Sequence, residues 1–158
     1  MTLDEPTIFW FLDNPDVLVA FLKREAKIAK GIHGKRTPAR RAWKHAKRCG
    51  AALASVVSEI EHLRDEAELC VDEGEDVVDT NVEVMQDLQS RWMILRVDAK
   101  DALLNALKVE TDEMSQFSWL RRIMLSSAIK TRASGLMSAH SLTPWQRARE
   151  HARGILFE

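Results

Sequence analysis

One stretch, residues 38–73, constrains the fold of this chain more than any other part of the sequence. Small or apolar residues recur along it with spacings that alternate between four and three: Ala42, Ala46, Cys49, Leu53, Val56, Ile60, Leu63, Ala67 and Cys70. This heptad pattern is typical of a helix that buries one narrow stripe against other helices. Thr37 is the expected N-cap and Pro38 the first helical residue, because the missing N–H of proline needs no partner there. Gly50 is the only residue that weakens the prediction of one continuous helix.

The whole chain, residues 1–158, is predicted to be a single all-α domain. Its six Gly and four Pro stand mostly at predicted helix boundaries, and no segment alternates apolar and polar residues with the period of a strand. Besides 38–73, helices are predicted over residues 14–31, 80–109, 115–135 and 143–154. The two longest, 38–73 and 80–109, each carry a heptad stripe and are joined by a short acidic turn. They are expected to form a long antiparallel helical hairpin, on which a helical bundle of about five helices is built.

The N-terminal segment, residues 1–13, lies outside the predicted helices. It has an acidic start and then a compact apolar run, Ile8–Leu12. We interpret this run as a cover for an open end of the bundle. The alternative is an anchor for a partner protein, since exposed aromatic clusters of this size are unusual on monomers.

One acidic residue, Glu25, falls near the middle of the apolar side of the helix predicted over 14–31. The expected explanation is that its methylene stem packs on the bundle while its carboxylate reaches solvent. A buried catalytic carboxylate would need a second acid beside it, and the sequence shows none near Glu25.

Charge is strongly segregated along the chain, although the net charge is only −1. Residues 23–48 contain eleven Lys or Arg and one acidic residue, whereas residues 59–87 contain twelve Asp or Glu and one Arg. On the helix predicted over 38–73 the basic half precedes the acidic half. This order opposes the helix dipole, so helix stability alone does not favour it. The charges are therefore expected to contact a partner, or to pair with each other through tertiary or intermolecular contacts.

The basic residues of 23–48 form the candidate binding site. If the helices over 14–31 and 38–73 pack as an antiparallel pair, these residues converge on one corner of the molecule, where they can neutralise the phosphates of a nucleic acid. The predicted nucleic-acid-binding residues are Lys23, Lys27, Lys30, Lys35, Arg36, Arg40, Arg41, Lys44, Lys47 and Arg48. Trp43 lies among them and is expected to pack inside the bundle, with stacking on an unpaired base as the alternative.

The sequence contains no recognisable catalytic or cofactor-binding motif. Phosphate-binding loops, dinucleotide-binding glycine patterns and nucleophile elbows are absent, and the chain has no tyrosine. Glu59 and His62 form one Glu-x-x-His, and His45 and Cys49 lie one helical turn apart, but each pair is only a fraction of a metal site. A non-enzymatic protein without a cofactor or metal is therefore expected.

The cellular location is predicted to be the cytoplasm, with no membrane partner. Neither a secretory signal peptide nor an apolar run of transmembrane length is evident in the sequence. Cys49 and Cys70 are ~30 Å apart on one predicted helix, so they cannot form a disulfide within it. Both features are typical of a protein in a reducing compartment.

In size and inferred helical make-up the chain resembles the helical small subunits of CRISPR effector complexes, although no sequence motif carries the resemblance and no individual residue can be transferred. Those subunits line up as adjacent copies and contact guide and target strands without catalysis. The resemblance implies a non-enzymatic subunit that holds RNA or single-stranded DNA within a multi-subunit ribonucleoprotein. Phage-encoded structural or DNA-packaging proteins are equally similar. The alternative function is a structural module that self-associates through its basic and acidic faces.

Overall fold

The computed structural model describes residues 3–72 and 79–132, and these ranges are almost entirely helical, with no strand among them. The helices are α1 Glu5–Asp13, α2 Pro15–Ile32, α3 Pro38–Asp72, α4 Asp79–Ser115 and α5 Trp119–Met124. Helical backbone also covers residues 126–132, which we label α6. The predicted all-α bundle is therefore confirmed, and the helix predicted over 143–154 lies outside the described residues.

The long helices α3 and α4 form an antiparallel pair, as the sequence predicts. Glu113, near the end of α4, accepts a hydrogen bond from the backbone N–H of Ala39 at the start of α3 (3.0 Å). Further along the pair, Glu59 of α3 faces Arg91 of α4. The pair has the most extensive contacts between helices in the described part of the chain, followed by α2 with α3. This hairpin is the framework on which the shorter helices pack.

Helix α3 continues without a break through Gly50, which packs directly against side chains of α2. A Cβ atom at this position would lie 2.5 Å from Cδ1 of Leu22 and within 4 Å of Leu18. Both leucines are buried, so they have little freedom to move aside. The glycine lowers helix propensity locally, but it allows α2 and α3 to pack closely.

Residues 5–13, which the sequence prediction leaves outside the helices, form the helix α1. Asp4 is its N-cap, because its side chain accepts a hydrogen bond from the backbone N–H of Thr7 (3.1 Å). Ile8, Phe11 and Leu12 are buried, and the ring of Phe11 stacks on Phe21 of α2 with centroids 4.7 Å apart. The apolar run therefore packs on the bundle, and that it covers an open end stays an interpretation. The prediction that residues 1–13 lie outside the helices is wrong.

The predicted end of the helix over 80–109 is also wrong. Helix α4 continues through residues 111–114, the expected connection to the helix predicted over 115–135, and ends at Ser115. The next helix, α5, starts after the predicted residue 115, with Ser118 as its N-cap. A turn at Leu125 separates α5 from α6. No Gly or Pro stops α4 after Val109, and its last turns carry Glu110 and Glu113, which bond to groups outside α4.

The N-cap positions of α2 and α3 differ in detail from ordinary side-chain caps. Asn14 occupies the N-cap position of α2, but its side chain donates to the carbonyl oxygen of Trp10 (2.8 Å) and accepts no capping hydrogen bond from α2. The hydroxyl of Thr37 donates to the carbonyl oxygen of Gly34 (3.0 Å). The first turn of α3 is instead satisfied from another helix, by the carboxylate of Glu113.

The main hydrophobic core lies where α1, α2, α3 and α4 meet. Its largest fully buried apolar side chains are Phe11, Leu12, Leu18, Phe21, Leu22, Trp43, Leu53 and Leu103. Among the described helices, none combines the length and the apolar character needed to cross a membrane.

Candidate nucleic-acid interface

Eight of the ten predicted binding residues line a single groove between α2 and α3. We call this the basic groove; it has a volume of about 720 Å³. Its cationic lining comprises Lys23, Lys27 and Lys30 from α2, Lys35 from the connecting loop, and Arg40, Arg41, Lys44 and Lys47 from α3, with Ala26 as the remaining lining residue. The structure therefore brings together cations from all three segments that the sequence indicates.

Helical spacing explains this convergence. On α2 the lysines at 23, 27 and 30 recur every four and three residues, so they share one face, while the buried residues of α2 occupy the opposite side. On α3 the basic residues at 40, 44 and 47 repeat the same spacing. Because α2 and α3 are antiparallel and joined by a short loop, the two basic faces lie side by side along the groove.

The positive charges of the groove face solvent. Seven of the eight lining cations are exposed and Arg40 is half-buried. Within residues 3–72 and 79–132, no carboxylate lies within 4.0 Å of any of the eight cationic groups. The described part of the chain therefore leaves these charges without a direct ion pair.

Two predicted binding residues, Arg36 and Arg48, are exposed but do not line the groove.

Trp43, which lies among the basic residues in the sequence, is 0% exposed and cannot stack on a nucleic-acid base. Its ring instead packs under the guanidinium group of Arg132, whose carbon lies 4.7 Å from the ring centroid. The expected packing of Trp43 inside the bundle is confirmed, and no aromatic residue is among those that line the basic groove.

Beneath the groove lies a group of charged side chains that we call the buried ion cluster. It comprises Glu25 of α2, His33 of the loop, Glu110 and Glu113 of α4, and Arg132 of α6. All except Glu113 are buried, and Glu113 is half-buried. The cluster joins the end of α2, the start of α3 and the end of α4, so it holds together the elements that carry the groove.

Arg132 is the centre of this cluster. Its Nη1 is paired with a carboxylate oxygen of Glu25, and its Nη2 and Nε each lie 3.0 Å from an oxygen of Glu110. Nη2 also donates to the backbone carbonyl oxygen of Glu25 (2.9 Å). Burial, and to a lesser extent the positive charge of Arg24, lowers the pKa of Arg132 to about 9, so the guanidinium remains charged at neutral pH.

The expectation that Glu25 reaches solvent is wrong. Its side chain is 0% exposed, because Arg132 supplies a buried cation that makes solvent contact unnecessary. A second acid, Glu110, lies on the same guanidinium, and it comes from a helix distant in sequence. Both carboxylates are held by Arg132, which is typical of structural ion pairs.

His33 bridges two carboxylates. Its Nδ1 lies 2.8 Å from Glu113 and its Nε2 lies 2.9 Å from Glu110. Burial by itself lowers the pKa of His33, but the hydrogen bonds and negative charges of the two glutamates outweigh it and raise the pKa above 6.5. Only the imidazolium form can donate from both ring nitrogens, so this arrangement stabilises the charged histidine.

Glu113 links this histidine to α3. Its second oxygen accepts the N–H of Ala39, and this places a negative charge at the N-terminus of α3, where the helix dipole favours it. Burial raises the pKa of Glu113, but the hydrogen bonds from Ala39 and His33 outweigh it and lower the pKa below 4.5. The ionised carboxylate therefore holds the start of α3 in place, together with the groove residues that follow it.

Sequence reasoning did not identify His33, Glu110, Glu113 or Arg132. One signal was present: Glu110 and Glu113 continue the three- and four-residue spacing of the buried positions Leu103 and Ala106 on α4. A carboxylate at a core position needs a cationic partner or a proton. The identity of that partner, more than 20 residues away in the sequence, is not contained in the spacing.

The ionisation of His33 and Glu113 makes stability depend on pH. Because the pKa of His33 is raised, its contribution is fully present below about pH 6.5 and is lost as the pH rises through its folded value. Because the pKa of Glu113 is lowered, its contribution is present above about pH 4.5 and is lost on acidification. We expect urea midpoints measured between about pH 5 and pH 9 to fall on the alkaline side, and His33→Gln to remove most of that fall.

His45→Gln is the matched control for this measurement, since His45 is an exposed histidine on α3. It should leave the alkaline fall unchanged. Identical pH profiles for the wild type and His33→Gln would contradict the role assigned to His33.

The fragmentary metal motifs do not assemble into a site among the described residues. His62 pairs with Glu66, and Cys49 lies 3.6 Å from His45, with the pKa of Cys49 raised by burial and by the charge of Asp98. No group of three or more His, Cys, Asp or Glu in the described ranges is arranged to hold a metal ion.

Comparison of the chain with protein-family models, with curated proteins and with solved structures finds no match.

Proposed function

We propose that this chain is a non-enzymatic nucleic-acid-binding subunit that holds the backbone of RNA or single-stranded DNA in the basic groove. The observation that carries the proposal is the convergence of eight Lys and Arg side chains on one groove, with no carboxylate of the described residues within salt-bridge distance of them. A chain of phosphates is the biological ligand that such a groove fits best, because each neutralised phosphate releases counterions.

The shape of the charge distribution also supports a strand-like ligand. The cations come from two antiparallel helices and the loop between them, and those of the helices form two rows along the groove, so they can contact successive phosphates of an extended backbone. The groove lining contains no aromatic side chain and one Ala as its only apolar residue. Contact within the groove is therefore to the backbone, which positions a strand without reading its bases.

We further propose that the chain is one subunit of a multi-subunit ribonucleoprotein in the cytoplasm, such as a CRISPR effector complex. It is supported by the resemblance in size and helical make-up. The α3–α4 hairpin adds to this support, because it leaves Leu69, Met93 and Ile94 exposed, as expected of a chain with protein neighbours.

A titration in a salt series tests the proposal. We expect the logarithm of the association constant for a single-stranded oligonucleotide to fall linearly with the logarithm of salt concentration, with a slope of roughly −3 to −5, because each phosphate contact contributes about −0.7. Lys27→Ala should reduce the magnitude of the slope by about 0.7 and weaken binding equally for all sequences.

Lys108→Ala is the matched control, because Lys108 is an exposed lysine on α4 outside the groove. It should leave the slope unchanged. Absence of binding at low salt would refute the proposal. If the chain instead sediments as a salt-sensitive oligomer without nucleic acid, the alternative function, self-association through basic and acidic faces, is favoured.

A further inference from the structure

A second cavity lies beside the basic groove, and its chemistry is different. We call it the loop pocket; it has a volume of about 490 Å³ and lies between residues 31–34 and the helix α5. Its apolar walls are Ile32 from the end of α2 and Leu120, Met124 and Leu125 from α5 and the residue after it. The size is within the range of cavities that bind small organic groups.

The loop pocket and the basic groove are lined by residues that are adjacent in the chain. Lys30 and Lys35 both line the basic groove, and Gly31 and Gly34, their direct neighbours in the chain, both line the loop pocket. Neighbouring Cα atoms are only about 3.8 Å apart. A strand whose phosphates contact Lys30 or Lys35 therefore passes within reach of the pocket.

Two residues that line the loop pocket expose most of their apolar surface. Met124 is 83% exposed and Leu120 is 56% exposed. At the rim, the guanidinium group of Arg121 lies 4.0 Å from the centroid of the Phe117 ring and donates to the carbonyl oxygen of Ile32 (3.3 Å). The pocket thus combines apolar walls with the guanidinium group of Arg121, which is held in place by two contacts, and with His33, which also lines it.

We propose that the loop pocket accepts an unpaired nucleobase of the strand whose phosphates occupy the basic groove. This inference rests on the proposed function and deepens it. A nucleobase is a flat group with apolar faces attached to a charged backbone, so it matches an apolar pocket bordered by Lys30, Lys35 and Arg121. Since a base in a duplex is paired and stacked, the pocket selects single strands.

The proposal also explains how a groove without aromatic residues can favour nucleic acid over other polyanions. Phosphate contacts in the basic groove are the same for any chain of phosphates. A contribution from the base arises only in the adjacent pocket, through Leu120 and Met124. Affinity should therefore depend on the presence of bases and on these two side chains, and only weakly on which base is present.

Three fluorescently labelled probes of equal length, about 15 nucleotides, test this proposal. They are a single-stranded oligothymidylate, a strand of the same number of phosphates made of abasic residues, and a DNA duplex. For the wild type we expect the base-containing strand to bind on the order of tenfold more tightly than the abasic strand. The double variant Leu120→Ser, Met124→Ser should bind both strands with the lower affinity.

Ile123→Ser is the matched control, since Ile123 is a similarly exposed apolar residue of α5 that does not line the pocket. It should retain the tenfold preference. All three positions are exposed, so these variants are expected to fold, which circular dichroism verifies.

The outcomes separate the two proposals. Equal affinity for the base-containing and abasic strands would overturn the inference and leave the proposed function intact. A preference that survives in the double variant, or tighter binding of the duplex, would also overturn it. If none of the three probes binds at low salt, the proposed function fails and this inference fails with it.

Discussion

Replacing Arg132 by methionine is expected to lower the free energy of unfolding by about 3–5 kcal/mol. Arg132 is fully buried and is the cation that holds both Glu25 and Glu110. Without it, two carboxylates remain in a low-dielectric interior with one fewer positive charge, and each must take up a proton or attract water. Urea denaturation followed by circular dichroism at neutral pH measures the loss.

Lys130→Met is the control for this change, since Lys130 is an exposed residue of α6 two positions earlier. It should alter the free energy of unfolding by less than about 0.5 kcal/mol. Adding Glu25→Gln and Glu110→Gln to Arg132→Met should recover part of the stability, because the unpaired charges are then removed. A loss for Arg132→Met that is no larger than that for Lys130→Met would show that the buried ion cluster does not stabilise the fold.

Removing four positive charges from the basic groove is expected to reduce affinity for a single-stranded oligonucleotide on the order of 100-fold at low salt. The variant carries Arg40→Ala, Arg41→Ala, Lys44→Ala and Lys47→Ala, which together remove all the positive charges that α3 contributes to the groove lining. Since these residues are exposed or half-buried and alanine favours helix, the fold should be retained. Filter binding across a salt series gives both the affinity and its salt dependence.

A second quadruple variant separates local charge from net charge. Arg64→Ala, Arg91→Ala, Lys108→Ala and Lys130→Ala remove the same total charge from exposed positions outside the groove. We expect this control to lose only a few-fold in affinity, because these residues do not line the groove and salt screens exposed charges that make no direct contact with the ligand. Equal losses in the two variants would mean that binding follows overall charge, and the basic groove would have no special role.

Three of the predicted helix positions, those of α2, α3 and most of α4, follow from local features of the sequence. The heptad spacing of α3, with Pro38 at its start, predicts a helix that the structure shows from Pro38 to Asp72. The ends of elements were harder to predict. Helix α4 runs past its expected end because Glu110 and Glu113 make contacts with the loop after α2, with α3 and with α6 that local propensity does not contain.

The groove could be predicted from the sequence because its cations lie on two consecutive helices. The spacing of Lys23, Lys27 and Lys30 places them on one face of α2. If α2 and α3 are antiparallel, the basic face of α3 lies beside them. The two predicted residues that miss the groove, Arg36 and Arg48, depend on the conformation of the loop and on the exact rotation of α3. Sequence spacing does not specify either of these.

The sequence by itself determined the helical class, the long hairpin and the pooling of positive charge, because periodicity and charge order are properties of neighbouring residues. Only the tertiary structure decided that Trp43 is buried under Arg132, that Glu25 shares that arginine with Glu110, and that His33 bridges two glutamates. A pattern of apolar residues shows which face of a helix is buried, but not which residues it meets there. The partners are selected by packing and by the large cost of leaving a charge unpaired in the interior, and both act between residues far apart in the chain.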